Sequence, residues 1–217
     1  MKNNVTELVF ILDMSGSMER LTDDTIGGFN SVLKEHRNGD GEVLVTTCLF
    51  NNDSVIIHDR VNISDVPEMT EKEYRASGCT ALVDAMGSMI DHIASIHRYA
   101  REEDVPGSTI FVITTDGMEN ASHKYDVSSL REKIKHEQEK YGWEFIFMAE
   151  NIDAVATARE YGIREEYAVD CHHDAAGTAA KYRAASRAIR NSRDGIKNCE
   201  TVEWRAEADK DFQKRSR

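Results

Sequence analysis

The sequence is poor in proline and in positive charge, and it lacks long apolar runs. Only 2 prolines occur among 217 residues, and no run approaches the ~20 apolar residues that span a bilayer. Lysine and arginine number 27 against 39 aspartates and glutamates, which gives a net charge of −12. This excess argues against nucleic acid or an anionic membrane as a partner, because phosphate groups are bound by clustered cations. A metal cation is the ligand class that remains open.

A secretory signal is not apparent either. The residues before Asp13 include only a short apolar run, 8–12, whereas a signal peptide needs a longer apolar region and a small-residue cleavage site. The 4 cysteines are scattered, without a CxxC pair, at Cys48, Cys79, Cys171 and Cys199. We therefore expect reduced thiols and a cytoplasmic protein.

Short apolar segments alternate with segments of helical periodicity along most of the chain. The apolar segments are rich in Val, Ile or Phe and are bounded by polar turns, as buried strands are. We predict strands at 8–12, 43–50, 55–57, 110–115, 145–149 and a weaker one at 167–169. Helices are predicted after Thr22, which would cap the first of them, after Thr80, and at 130–141, 154–161 and 175–191. This alternation predicts an α/β, Rossmann-like open sheet, mostly parallel, with helices on both faces.

Two regions depart from the alternation. The turn 51–53 separates two predicted strands by too little chain for a crossover helix, so these strands must form an antiparallel hairpin, which we place at a sheet edge. Residues 192–217 have mixed charge and weak periodicity. We predict one domain over residues 1–191 and a charged C-terminal tail over 192–217 that is mobile or partly helical.

Two predicted strands end in an aspartate followed by small polar residues. Asp13 precedes Ser15 and Ser17, and Asp116 precedes Gly117. In open parallel sheets, ligands bind beyond the carboxyl ends of the strands, where the strand order reverses. If the two strands are neighbours, Asp13 and Asp116 meet at that crevice, where they repel each other unless a positive charge lies between them.

The donor atoms of this set are hard oxygens. Carboxylates and the Ser15 and Ser17 hydroxyls, without an accompanying histidine or thiolate, select Mg²⁺ or Mn²⁺ over Zn²⁺. A third loop, 77–82, precedes the second helix and carries Thr80. Its hydroxyl either joins the oxygen set or caps the helix, and the sequence alone does not separate these roles.

Three short segments together resemble the von Willebrand factor type A (vWA) domain family. The segments match its metal-ion-dependent adhesion site (MIDAS) in order and context: Asp13-x-Ser15-x-Ser17, Gly78-Cys79-Thr80-Ala81-Leu82 and Thr115-Asp116-Gly117. The resemblance covers about residues 7–191. Within the family, the best comparison is with small stand-alone bacterial members. This chain resembles them in its Gly27-Gly28 pair and in residues 142–145.

The resemblance implies a six-stranded sheet with one antiparallel edge strand. It also implies metal ligation by the Ser15, Ser17 and Thr80 hydroxyls, and by Asp13 and Asp116 directly or through water. Mg²⁺ is the expected ion, with Mn²⁺ or Ca²⁺ possible. One coordination position stays open for an Asp or Glu carboxylate of a protein partner, because hydroxyl ligands leave the ion under-neutralised. The expected function is therefore a metal-dependent protein-binding module, an adaptor or scaffold without catalytic residues.

The competing hypothesis is a Mg²⁺-dependent hydrolase or phosphotransferase that uses the strand-end aspartates. It is disfavoured because Ser15 stands where enzymes of the haloacid dehalogenase type have a second aspartate, and no suitably placed lysine is apparent. The remaining features have structural explanations. We expect 172–174 to be a loop end and not a zinc site, Glu119 and Asn120 to be solvated, and the Gly27-Gly28 pair to serve helix packing.

Overall fold

The computed structural model describes residues 2–216 and contains a six-stranded sheet in the order β3-β2-β1-β4-β5-β6. The strands are β1 (Lys2–Asp13), β2 (Glu42–Phe50), β3 (Ser54–Asn62), β4 (Pro106–Thr115), β5 (Glu144–Glu150) and β6 (Ala168–Cys171). All neighbouring strands are parallel except β2 and β3. The predicted Rossmann-like α/β sheet and its antiparallel edge hairpin are confirmed.

Helices cover both faces of this sheet. They are α1 (Thr22–His36), α2 (Leu82–Tyr99), α3 (Val127–Tyr141), α4 (Ala154–Glu160), α5 (Ala175–Arg193) and α6 (Ala206–Arg215). Alternation along β1 separates the two faces. Phe10 packs edge-on against Phe29 of α1, with 5.0 Å between ring centroids. Glu7, on the opposite face, lies 3.4 Å from His97 of α2. No helix within residues 2–216 is both long and apolar enough to span a bilayer.

The sheet order reverses at β1, which pairs with β2 on one side and with β4 on the other. Leu12 is in register with Thr114, so the two parallel strands end side by side. Asp13 and Asp116 therefore leave the sheet at the same edge and at its switch point. The neighbouring strands that the sequence interpretation required are present.

The start of α1 and the glycine pair within it differ in part from expectation. A 3₁₀ turn, Gly16–Leu21, precedes α1, and Leu21 rather than Thr22 occupies its N-cap position. A Cβ on Gly28 would lie 2.1 Å from the Tyr182 ring of α5, whereas one on Gly27 would meet nothing within 4 Å. Close helix packing thus accounts for Gly28 alone.

The chain after α5 folds back onto the sheet edge. Trp204 is 1 % exposed, and its Nε1 donates to the Asn198 carbonyl at 3.2 Å. Helix α6 packs on α5 and on the edge strand β6. The guanidinium of Arg205 donates to the carbonyls of Glu165 and Ala168. This segment therefore contributes to the packing around β6.

Candidate metal centre

Asp13 is held rigidly where β1 ends. Its side chain is fully buried, and its Oδ1 accepts the Ser15 amide at 2.7 Å. Its Oδ2 accepts the Thr115 hydroxyl of β4 at 2.7 Å. The Tyr74 hydroxyl donates to the Asp13 carbonyl. The carboxylate is thus fixed by its own turn and by the neighbouring strand.

Asp116 joins the same cluster from β4. Its Oδ1 accepts the Ser17 hydroxyl at 2.8 Å, and the Ser17 and Ser15 Oγ atoms lie 3.1 Å apart. Asp116 is 2 % exposed, yet its Oδ2 has no hydrogen-bond partner among residues 2–216. Four of the five predicted site residues therefore form one hydrogen-bonded cluster.

Thr80 approaches this cluster from the loop before α2. A Cβ on Gly117 would lie 3.8 Å from the Thr80 Oγ1, which places that hydroxyl beside the Asp116 loop. Ala81, not Thr80, is the N-cap residue of α2, and the Thr80 side chain does not cap this helix. Of the two roles that the sequence left open for Thr80, capping α2 is excluded. We call Asp13, Ser15, Ser17, Thr80 and Asp116 the strand-end cluster.

The hairpin turn between β2 and β3 positions the Thr80 loop. The Asn52 Oδ1 accepts the Cys79 amide at 2.9 Å, and the Asn51 carbonyl accepts the Ala81 amide at 2.7 Å. Gly78 has a φ of +77°, and a Cβ there would lie 2.1 Å from the Asn52 Oδ1. Only glycine fits this backbone conformation without displacing the turn. The Asn51 and Asn52 contacts were not anticipated from sequence.

Glu119 is half-buried and Asn120 is exposed, as expected of loop residues, but both also hold backbone amides. The Glu119 carboxylate accepts the Val83 amide at 2.8 Å and the Ala121 amide at 2.8 Å. The Asn120 Oδ1 accepts the Thr80 amide at 2.9 Å, and the Thr80 carbonyl accepts the Asn120 amide at 3.0 Å. Both residues join the loop after β4 to the start of α2. The close spacing of Asp, Glu and Asn after a strand was the available signal.

The electrostatics of the cluster favour an added positive charge. Burial raises the pKa of Asp13, hydrogen bonds from Thr115 and Ser15 partly offset this, and the charge of Asp116 raises the pKa further. The Asp116 Oδ2 is buried without a hydrogen-bond partner within residues 2–216, so a positive charge beside it would also be favourable. No group of three or more His, Cys, Asp or Glu suited to a metal occurs in the described residues. A metal here would therefore depend on hydroxyl ligands, as the sequence interpretation predicts.

His173 lies at the margin of the cluster, although the sequence indicated only a loop end. Its Nδ1 is 2.8 Å from the Glu150 Oε2 and 3.7 Å from the Asp116 Oδ2. His172, by contrast, packs on Phe212 of α6 with 4.7 Å between ring centroids. The sequence could not distinguish the two histidines, because only the tertiary fold brings β5 and β6 beside Asp116.

Comparison with known proteins identifies the fold. No protein-family model matches the chain, and no curated protein sequence is significantly similar to it. Many solved structures are similar to this chain in fold. The manganese-loaded TRAP protein of Plasmodium vivax has a TM-score of 0.57 and 15% identity over 83% of this chain and 73% of its own.

Two further structures of similar fold are named as vWA proteins. The von Willebrand factor type A protein of Catenulispora acidiphila has a TM-score of 0.53 and 14% identity, over 83% of this chain and 41% of its own. The ArnB paralog VWA2 of Sulfolobus acidocaldarius has a TM-score of 0.55 and 12% identity, over 86% of this chain and 45% of its own. The chain thus spans less than half of each. It has the fold of the von Willebrand factor type A domains.

Proposed function

We propose that the chain is a metal-dependent protein-binding module whose strand-end cluster holds a divalent cation. The observation that carries this proposal is the unpartnered, buried Oδ2 of Asp116, which lies in a cluster with a second buried carboxylate. Two such groups are stabilised when a cation lies between them. The same fold occurs in the manganese-loaded TRAP protein.

The residues present fit a hard cation. Hydroxyl ligands would come from Ser15, Ser17 and Thr80, and carboxylate ligands from Asp13 and Asp116, directly or through water. These are the oxygen donors that Mg²⁺ and Mn²⁺ prefer, and Ca²⁺ accepts the same donors in a looser geometry. When bound, the cation would supply a positive, Lewis-acidic centre at the surface of an acidic protein.

The proposed partner is a protein that offers an Asp or Glu carboxylate to the cation. With a net charge of −12, the chain repels acidic groups except where the ion reverses the local sign. Binding should therefore depend steeply on the cation. Nucleic acid and membrane are not proposed as partners, and the cytoplasm remains the proposed location.

The first experiment measures the melting temperature with and without Mn²⁺ or Mg²⁺. At an ion concentration of about 100 Kd, wild type should gain roughly 5–10 °C, because a ligand that binds only the folded state stabilises it. Asp13→Ala should gain nothing. Asp23→Ala, which removes an exposed carboxylate of α1, is the matched control and should respond as wild type does. Equal shifts in wild type and Asp13→Ala would contradict the assigned centre.

The second experiment tests the protein partner. Affinity capture from the native organism should retain a protein in Mg²⁺ that is lost in EDTA and with the Ser15→Ala/Ser17→Ala variant. An assay of phosphate-ester hydrolysis runs beside it. Mg²⁺-dependent hydrolysis that disappears in Asp13→Ala would instead support the enzyme hypothesis and overturn the binding-module proposal.

A further inference from the structure

A fully buried ion pair lies directly behind the strand-end cluster. Glu150 ends β5 and Lys181 belongs to α5, and both side chains are 0% exposed. The Lys181 Nζ lies 2.6 Å from the Glu150 Oε1, and the Thr178 hydroxyl donates to the same oxygen at 3.3 Å. Burial alone would lower the pKa of Lys181, but the charge of Glu150 raises it. Glu150 therefore serves as a carboxylate acceptor.

The second oxygen of Glu150 is directed to His173. The His173 Nδ1 lies 2.8 Å from the Glu150 Oε2, and a carboxylate can only accept at this contact. Nδ1 therefore carries the hydrogen, which fixes the orientation of the ring. The same Nδ1 lies 3.7 Å from the Asp116 Oδ2, the buried oxygen without a hydrogen-bond partner. His173 thus places its imidazole ring between Glu150 and the strand-end cluster, and its Nδ1 hydrogen is donated to Glu150.

We propose that His173 is a positioning residue of the metal centre. Held by Glu150, its ring lies beside the Asp116 carboxylate, with 3.7 Å between Nδ1 and Oδ2, and restrains it by close packing so that Oδ1 stays on the Ser17 hydroxyl. This inference rests on the proposed function, because it concerns the affinity of the same centre for its cation. Groups that orient ligating carboxylates and histidines contribute substantially to metal affinity, and their loss weakens binding by about 10–100-fold.

Lys181 makes this arrangement electrostatically possible. Without it, Glu150 would add a negative charge on the far side of His173 from Asp116. The ion pair has no net charge, so Glu150 can hold His173 without adding to the repulsion between Asp13 and Asp116. The His173 backbone is fixed as well, since the next residue, Asp174, caps α5 by accepting the Gly177 amide at 2.9 Å.

The neighbouring histidine provides a matched control within the same loop. The His172 Nε2 lies 3.2 Å from the Phe212 carbonyl, and its ring stacks on Phe212. It therefore supports the docking of α6, and within residues 2–216 it forms no hydrogen bond or ion pair with Asp116 or Glu150. Replacement of His172 perturbs the same loop without removing the imidazole ring that lies beside Asp116.

The experiment measures Mn²⁺ affinity at constant pH by electron paramagnetic resonance of the free ion, with the metal-free melting temperature recorded separately. We expect His173→Ala to bind Mn²⁺ about 10–100-fold more weakly than wild type. His173→Asn should stay within about 3-fold, because the amide of asparagine can place a donor close to the position of Nδ1. His172→Ala should retain wild-type affinity even if its melting temperature falls.

The outcomes separate this inference from the function on which it rests. If wild type binds Mn²⁺, Asp13→Ala does not, and His173→Ala matches wild type, the positioning role is overturned and the centre stands. Equal weakening by His173→Ala and His172→Ala would also overturn it, since a general loop effect would then suffice. If wild type does not bind Mn²⁺, both proposals fall.

Discussion

Two buried carboxylates on one strand have opposite electrostatic surroundings, since one has cationic partners and the other does not. Glu7 and Asp13 both belong to β1, are both 0% exposed, and by strand alternation point to the same face. The Glu7 Oε2 lies 2.8 Å from the Arg60 Nε and 3.4 Å from the His97 Nε2. Asp13 accepts from a neutral amide and a neutral hydroxyl, and burial together with the charge of Asp116 raises its pKa.

The difference distinguishes a structural acid from an acid that is available for function. The chain supplies a cation to Glu7 in the middle of β1, and to Glu150 through Lys181. At the switch point it brings Asp13 and Asp116 together with neutral donors, and under the proposed function the bound cation supplies the compensating charge. Whether the chain itself supplies a cationic side chain to a buried carboxylate is thus a physical criterion that separates structural carboxylates from those available for function.

The largest expected effect tests the resident cation of Glu150. Lys181→Met leaves a buried carboxylate unpaired and should lower the free energy of unfolding by about 3–5 kcal/mol. Urea denaturation in metal-free buffer measures this. The double variant Lys181→Met/Glu150→Gln removes both charges and should recover much of the loss. A single variant within about 1 kcal/mol of wild type would contradict the distinction.

Glu7→Gln tests the resident cation of the buried carboxylate in the middle of β1. We expect a loss of about 2 kcal/mol, less than for Lys181→Met because the Arg60 side chain is 23% exposed. The melting-temperature gain with Mn²⁺ should remain that of wild type. Glu103→Gln, which removes an exposed pair with Arg101, should change stability by less than about 0.5 kcal/mol. A smaller melting-temperature gain with Mn²⁺ in Glu7→Gln would contradict the assignment of Glu7 as a structural carboxylate that is separate from the metal centre.

His36 is a buried base, and it allows the same comparison for a group that becomes positively charged on protonation. Burial and the charge of Arg193 lower the pKa of His36 from 6.5 to about 4. The unfolded chain therefore binds more protons, and stability is lost as the pH falls from about 6.5 toward 4. Between pH 7 and pH 5 wild type should lose about 2 kcal/mol more than His36→Gln does. Denaturation curves at both pH values measure this difference, and parallel losses would refute it.

The smallest expected effect is a gain in stability, whereas the preceding predictions are losses. In metal-free buffer at pH 7, Asp13→Asn should stabilise the protein by about 0.5–1 kcal/mol, because burial and Asp116 disfavour the ionised form. With Mn²⁺ present the order should reverse, since the variant lacks a ligand. Destabilisation of Asp13→Asn in metal-free buffer would show that Asp13 does not differ from Glu7 in the way proposed.

The sequence was most informative where one local pattern determines one structure. Alternating strands and helices predicted the sheet, and the short 51–53 turn predicted its antiparallel edge. The DxSxS and TDG segments predicted which side chains meet, because parallel strands carry their carboxyl ends to one edge. Contacts between distant segments were not predictable. Asn52 holding the Thr80 loop and His173 facing Asp116 both depend on tertiary packing.

The segment that follows α5 bears on how copies of this chain meet. An open sheet has two edges, and unpaired edge strands invite another strand to add. At β6, the Arg205 guanidinium engages the Ala168 carbonyl and α6 packs alongside. At β3, Arg60 adopts a φ of +51° where the register with β2 shifts. Each edge is thus interrupted by an arginine, which disfavours edge-to-edge growth of the sheet.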